Sequence, residues 1–132
     1  MTATFVIPGT PIAKKRPRFV GHAWNSQGAQ MDDTRWLLKK QSRALSLPIP
    51  KGVPVSLKML FVFPIPESWS KKKKASPPPH TSKPDGDNVE KYYKDCMTKI
   101  IWHDDCQVNE CSKRKEYGEN PRTELTVEWG SA

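Results

Sequence analysis

Alternating hydrophobic and polar positions predict four β-strands in this chain. The first covers residues 2–7 and stops at a Pro-Gly pair. The second, residues 55–63, is apolar on both faces from Leu60 onward, which is typical of a central strand. Residues 107–117 alternate only weakly and predict a largely polar edge strand. Residues 124–129 predict a terminal strand with one buried face.

A helix is predicted for about residues 35–45, with Asp33 or Thr34 as its cap. Leucines share one arc of its helical wheel, and lysines and arginines occupy the other. Trp36 lies among the basic residues, where it would meet either DNA or a second copy of the chain. The same pattern also describes an ordinary amphipathic surface helix.

A second helix is predicted to begin near Asp87, after a turn marked by Pro84 and Gly86. Its apolar arc contains Val89, Tyr92, Tyr93, Cys96, Met97 and Ile100. Asp87, Lys91 and Asp95 share the opposite side of the wheel. The helix should therefore have one buried face and one face that presents acids and a lysine.

The order of elements, β, α, β, α, β, β, predicts an α+β domain with a mixed β-sheet and helices mainly on one face. A chain of 132 residues is expected to be a single domain, residues 1–132. Residues 67–84 have no hydrophobic pattern and predict a long, flexible loop rich in proline and lysine. Hydrophobic residues make up only 36% of the chain, so a dimer interface is expected to supplement a modest core.

The charge balance predicts a polyanionic partner, which is DNA, RNA or a membrane surface. Lys and Arg number 22 against 14 Asp and Glu, for a net charge of +8. No apolar run is long enough for a transmembrane helix, and the N-terminus does not have the pattern of a signal peptide. Three cysteines, an odd number, argue against a disulfide framework and favour the cytoplasm. The absence of a Gly-rich phosphate loop predicts that no nucleotide triphosphate is bound.

Carboxylates gather around the second predicted helix despite this positive charge. Asp85 precedes the helix, Asp87 begins it, and Asp104 and Asp105 follow its end. Neighbouring like charges are unfavourable unless a cation or proton relieves them, and oxygen-only clusters suit hard cations such as Mg²⁺. An acidic metal site within a basic chain is what phosphodiester cleavage requires. The alternative is that these acids are ordinary turn and capping residues.

Two runs of the sequence form a combined motif. Residues 84–91 read P-D-G-D-N-V-E-K, residues 102–108 read W-H-D-D-C-Q-V, and Asp95 lies between them. Together they resemble the RusA family of Holliday-junction resolvases, and residues 5–11 and 14–19 are similar to the start of that family. The resemblance implies a dimeric, Mg²⁺-dependent endonuclease that nicks four-way DNA junctions symmetrically, with Mn²⁺ expected to substitute for Mg²⁺. It also implies a cytoplasmic protein encoded by a bacterium or a phage.

The resemblance also assigns the site residues. Asp85, Asp87 and Asp105 would hold one or two Mg²⁺ ions within one subunit. Lys91 would approach the scissile phosphate and stabilise its developing charge. Asp95 is expected to orient Lys91 from the next helical turn or to form a simple i,i+4 ion pair with it.

Three basic clusters are predicted to contact the DNA backbone, and Lys113, Arg114 and Lys115 are expected to add a further basic group to the binding surface. The first is a proline-stiffened loop, the second is the basic arc of the first helix, and the third lies upstream of the acids. The residues are Lys14, Lys15, Arg16, Arg18, Arg35, Lys39, Arg43, Lys71, Lys72, Lys73 and Lys74. Solvated surface lysines would give the same pattern.

Three other interpretations remain open. One is a nuclease that prefers flaps or replication forks. Another is a non-catalytic basic DNA-binding module in which the acids only cap a turn. A zinc site formed by Cys96, His103, Cys106 and Cys111 is disfavoured, because the spacing matches no common zinc finger and Cys96 lies on the apolar helix face.

Overall fold

A mixed β-sheet forms the centre of the chain. The structure is a computed structural model that describes residues 1–15, 18–19, 23–24 and 27–130. In chain order its elements are β1 (Thr2–Pro8), β2 (Arg18–Phe19), β3 (Ala23–Trp24), α1 (Gly28–Gln41), β4 (Val55–Pro64), α2 (Lys71–Ala75), α3 (Gly86–Met97), β5 (Val108–Gly118) and β6 (Arg122–Trp129). Among the described helices, none has the length and apolarity needed to cross a bilayer.

Within the described residues, four strands form the main sheet, in the order β1-β6-β4-β5, and β2 pairs with β3 in a separate ribbon. Strand β6 runs antiparallel to β1 and β4, whereas β5 runs parallel to β4. The predicted α+β fold with a mixed sheet is confirmed.

Strand β4 supplies the centre of the core. It lies between β6 and β5, and alternate side chains from Val55 to Phe63 are buried. Phe61 stacks on Tyr93 of α3, with ring centroids 6.0 Å apart. Each such buried side chain stabilises the fold by roughly 1.5–3 kcal/mol. The predicted central strand is confirmed.

Helix α3 begins one residue before the predicted start and buries the predicted apolar face, but it ends at Met97, so Ile100 lies outside it. Its buried side chains are Val89, Tyr92, Tyr93, Cys96 and Met97. The Tyr92 hydroxyl is 3.0 Å from the hydroxyl of Thr34 in α1, and the Tyr93 hydroxyl accepts a hydrogen bond from the backbone N–H of Ile12. These two contacts join α3 to α1 and to the loop after β1.

Helix α1 differs from the prediction at both ends. It begins at Gly28 instead of Arg35 and ends at Gln41, before Leu45. Local capping does not set its start. The buried side chain of Gln27 donates to the Ala13 carbonyl and accepts from the N–H of Lys15, so tertiary contacts hold the first turn.

The last residue of α1 contacts the edge of the sheet. The Gln41 side chain accepts from the backbone N–H of Val6 at 2.9 Å and donates to the Val6 carbonyl at 2.8 Å. The single side-chain amide therefore pairs with β1 as a neighbouring strand would.

The segment predicted to be an unstructured loop, residues 67–84, contains helix α2. Ser70 caps this helix by accepting from the N–H of Lys73, a local signal that the lysine run obscured. Further along the segment, His80 is buried and its ring lies 4.2 Å from that of Phe63 and 4.6 Å from that of Tyr117. Aromatic contacts therefore attach this segment to the sheet.

Gly118, at the end of β5, packs closely on Val62 of β4. A Cβ at position 118 would lie 2.6 Å from Val62 Cγ1, whereas one at Gly130 would meet nothing within 4 Å. We expect Gly118→Ala to lower the free energy of unfolding by about 1–3 kcal/mol through overpacking. Gly130→Ala should change it by less than about 0.5 kcal/mol.

Urea denaturation of both variants measures this difference. The double variant Val62→Ala/Gly118→Ala should lose less than the two single losses combined, because the smaller side chain relieves the clash. Equal stability of Gly118→Ala and the unsubstituted protein would contradict the close packing.

Candidate active site

The two acids of the D-x-D motif lie at the start of α3. Asp85 occupies the N-cap position, with φ −63° and ψ 139°, but its carboxylate makes no capping hydrogen bond within the described part of the chain. Asp87 lies in the first helical turn, and both residues are exposed. Asp85 borders a cavity of about 390 Å³ with Lys83, Pro84 and Asn88. We call residues 84–87 the acidic turn.

Lys113 of β5 lies between two carboxylates of α3. Its Nζ is 2.9 Å from Asp87 Oδ1 and 3.0 Å from Glu90 Oε1. The hydrogen bond and charge of Lys113 lower the pKa of Asp87, and hydrogen bonds to Asp87 and Glu90 raise the pKa of Lys113. Burial acts to raise the pKa of Glu90, but hydrogen bonds from Lys94 and Lys113 outweigh it and the pKa is lowered. The acids beside Lys113 are therefore ionised at neutral pH and share an internal counter-ion.

Lys115, two residues further along β5, contacts the backbone that leads into the acidic turn. Its Nζ donates to the Ser82 carbonyl at 2.7 Å and to the Pro84 carbonyl at 2.9 Å. Burial lowers the pKa of the nearby His80, and the charge of Lys115 lowers it further. His80 is thus neutral at pH 7, which suits its place among aromatic rings.

Lys91 is exposed on α3, one turn after Asp87, as the helical wheel predicted. The prediction that Asp95 pairs with Lys91 is wrong. Asp95 forms its ion pair with Lys14, whose Nζ is 3.1 Å from Asp95 Oδ2. Arg35 also donates to the Asp95 carbonyl at 3.2 Å. Lys14 thus pairs with the Asp95 carboxylate and Arg35 with its backbone carbonyl, because α3 packs against both the loop after β1 and α1.

Asp105 lies far from the acidic turn within one chain. The 12 residues of α3 separate the two positions, and at roughly 1.5 Å per residue the helix is about 18 Å long. Asp105 begins a single 3₁₀ turn, Asp105–Gln107, that leads into the first residue of β5. Strand β5 contacts Asp87 through Lys113. Lys113 lies five residues, or about 17 Å, beyond Val108, the first residue of the strand.

The predicted metal triad is therefore not assembled within one subunit. Among the described residues, no three His, Cys, Asp or Glu side chains come together as a group that could hold a metal ion. Asp85 and Asp87 remain close in sequence at one end of α3, and Asp105 lies at the other. The prediction of a complete site within one subunit is wrong because the rigid length of α3 keeps its two ends apart.

The predicted basic clusters occupy different surroundings. Lys14 and Arg35 contact Asp95, as described above. The backbone N–H of Lys14 also donates to the Asn88 carbonyl at 2.9 Å, which places the basic loop beside the start of α3. Lys15, Lys39, Arg43 and the four lysines of α2 are exposed. Arg16 and the side chain of Arg18 lie outside the described residues.

The cysteines do not form the zinc site that was considered. Cys96 is buried and burial raises the pKa of its thiol to about 11, whereas Cys106 and Cys111 are exposed. A buried, protonated thiol is an ordinary core residue.

Sequence reasoning did not identify Glu90, Lys113 or Lys115 as neighbours of the acids. The available signal was the alternation along β5, which places positions 113, 115 and 117 on one side of the strand. Which residues that side meets depends on the alignment of β5 with α3. This alignment is a long-range property that no local pattern specifies.

Known proteins resemble this chain over most of its length. Residues 8–128 match the family model described as Endodeoxyribonuclease RusA. The chain belongs to the RusA endodeoxyribonuclease family. It is also similar to the uncharacterized protein YqaN of Bacillus subtilis strain 168, with 34% identity over 139 residues that cover 97% of this chain and 96% of that protein.

Membership of the RusA family confirms the resemblance seen in the sequence. The family consists of Holliday-junction resolvases that act on branched DNA, so membership implies endodeoxyribonuclease activity. The acidic turn, Lys91, Asp105 and Lys113 all lie within the matched residues.

Proposed function

We propose that this RusA-family chain is a Mg²⁺-dependent endonuclease that resolves Holliday junctions by paired, symmetric nicks during DNA recombination and repair. The observation that carries the proposal is the exposed pair of carboxylates at the start of α3, in a chain of net charge +8. An acidic, solvent-facing turn on a basic protein suits the binding of a metal ion beside a DNA phosphate.

The donor atoms of the acidic turn fit a divalent metal. Asp85 and Asp87 offer carboxylate oxygens only, and Mg²⁺ accepts one or two carboxylates while it keeps waters and phosphate oxygens as its other ligands. Mn²⁺ accepts the same ligands. When bound, the metal supplies an activated water and charge stabilisation at the phosphate.

The lysines of the site act on different groups. Lys91 is exposed on the face of α3 that carries Asp87, so its ammonium can reach a phosphate bound at the acidic turn. Lys113 already neutralises Asp87 and Glu90, which lowers the repulsion between these acids and an approaching DNA strand. The exposed lysines of α2 and Lys15 of the basic loop attract the DNA backbone to the protein.

A second copy of the chain would complete the metal site. Asp105 cannot approach Asp87 across the length of α3 in one chain, yet both belong to the motif that the resemblance assigns to the metal. A two-fold dimer in which Asp105 of each subunit faces the acidic turn of its partner removes this conflict. Such a dimer has two equivalent sites, which match the two strands cut in a four-way junction.

Cleavage of branched DNA tests the proposed activity. We expect paired nicks in a synthetic four-way junction with Mg²⁺ or Mn²⁺, and none with EDTA. A flap and a linear duplex should be cut more slowly than the junction. Faster cleavage of the flap would favour the flap-nuclease alternative, and metal-dependent cleavage of none of the three substrates would overturn the proposal.

Asp87→Asn should abolish cleavage in the same assay while junction binding persists or tightens, because one carboxylate no longer repels the phosphates. Asp33→Asn makes the same change at an exposed position of α1 and should cleave normally. A wild-type rate in Asp87→Asn would remove Asp87 from the metal site.

Mixed dimers test whether the site is shared between subunits. Asp87→Asn and Asp105→Asn should each be inactive alone. A heterodimer of the two has one site with both changes and one site with neither, so it should recover single nicking of the junction. Co-expression with two different affinity tags yields the heterodimer for assay. If both Asp residues of a site came from one subunit, every site in the heterodimer would be damaged and no activity would return.

Lys91→Ala separates a catalytic lysine from a surface lysine. Lys91 is exposed, and surface substitutions usually change stability by less than about 0.5 kcal/mol, so the melting temperature should hardly change. The single-turnover cleavage rate should fall by about 10²–10³-fold, as expected when one charge-stabilising donor is lost. Lys91→Arg should restore part of the rate, because charge is kept but shape and reach differ.

Lys58→Ala, an exposed lysine on β4, serves as the control. Near-normal cleavage by Lys91→Ala would place Lys91 among ordinary surface residues.

A further inference from the structure

We propose that Lys115 and Lys113 of β5 are positioning residues that hold the acidic turn in the geometry needed for cleavage. The proposal rests on the proposed nuclease function and extends it to residues outside the family motif described above. These two lysines act through the backbone and the carboxylates of the turn and need not touch DNA.

Lys115 fixes the peptide that leads directly into Asp85. Its half-buried side chain reaches from β5 to two carbonyl groups, those of Ser82 at 2.7 Å and Pro84 at 2.9 Å. The Pro84 carbonyl belongs to the same planar peptide as the N–H of Asp85. Holding that plane limits the directions in which the Asp85 carboxylate can point.

Lys113 fixes the other acid of the motif. Its ammonium binds Asp87 and Glu90 at about equal distances, 2.9 and 3.0 Å, so Asp87 is held against the first turn of α3. Gly86 provides the space for this contact. A Cβ at Gly86 would lie 3.1 Å from Cε and 3.3 Å from Cδ of Lys113.

Three alternate positions on one side of β5 hold the segment in order. Tyr117 contacts the rings of Trp69 and His80, with centroids 4.8 and 4.6 Å away. Lys115 binds the backbone immediately before Asp85, and Lys113 binds the side chain of Asp87. The strand thus attaches the chain from residue 69 to residue 87, and only the last two contacts reach the acidic turn.

Loss of this positioning should slow the chemical step without weakening DNA binding. Partners that orient metal ligands typically contribute about 10–100-fold to metal affinity or activity. Lys115→Met keeps an unbranched side chain that is one atom shorter and removes the ammonium with its charge and donors. Its single-turnover rate should fall by about 10–100-fold at saturating junction, while the dissociation constant for the junction changes by less than about twofold.

Hydrogen exchange provides a readout that does not depend on cleavage. In Lys115→Met, the backbone amides of Asn88 and Val89, which donate to the Asp85 carbonyl at 3.1 and 3.2 Å, should exchange faster than in the unsubstituted protein, because the turn opens more often. Lys115→Arg should restore both slow exchange and most of the cleavage rate, since its guanidinium also donates to two carbonyls. Lys58→Met, the same change at an exposed lysine on β4, should alter neither quantity.

Lys113→Met tests the second contact and covers the case in which Lys115→Met does not fold. It should lower the cleavage rate at unchanged melting temperature and speed exchange of the same two amides, those of Asn88 and Val89. Unchanged exchange in both variants would overturn the proposal, as would a rate loss fully restored by higher DNA concentration. If the unsubstituted protein cuts no junction, the nuclease assignment fails, and the exchange data still decide whether β5 holds the turn.

Discussion

Burial of one face of α3 against β4 is the constraint on which the rest of this structure depends. Tyr92 and Tyr93 lie fully within the core, and the Tyr93 ring stacks on Phe61. With that face fixed, the helix cannot rotate, so the side that carries Asp87 and Lys91 is kept out of the core and is exposed. The position of the family motif on the molecular surface is therefore a consequence of hydrophobic packing beneath it.

The charges around the acidic turn are balanced by residues that approach from different parts of the sequence. Lys14 from the loop after β1 and Arg35 from α1 contact Asp95 near the end of α3, and Lys113 from β5 contacts Asp87 near its start. A basic chain thus keeps these acids at its surface beside cations from other elements. This arrangement is consistent with an enzyme that must attract a polyanion and still keep carboxylates beside the phosphate.

Local patterns predicted the parts of the fold that local physics controls. The alternation from Val55 to Phe63 and the apolar arc of α3 gave β4 and α3 nearly at their observed boundaries, because burial selects those periods. The start of α1 was missed because it depends on Gln27 binding a loop that lies 12 residues earlier in the chain. The separation of Asp105 from the acidic turn was foreseeable, since the predicted helix already had the length that keeps them apart.

The remaining features of the site could not be predicted from local pattern. The contacts of Lys113 and Lys115 arise from the way β5 runs beside α3, which only the assembled sheet determines. Sequence reasoning recognised the acids by their motif but had no means to identify the lysines that hold them. Residues such as Lys113 and Lys115 can be recognised only from their contacts in the folded chain, because the sequence around them predicts an ordinary polar strand.

The side-chain amide of Gln41 limits the ways in which two copies of this chain can associate. It occupies both the N–H and the carbonyl of Val6, which are hydrogen-bonding groups of the edge strand β1. An incoming strand that extended the sheet past this point would have to displace both bonds. The contact thus disfavours growth of the sheet from its β1 edge into a neighbouring molecule. Of the two sheet edges, it leaves β5 as the one on which a further strand meets no such obstacle.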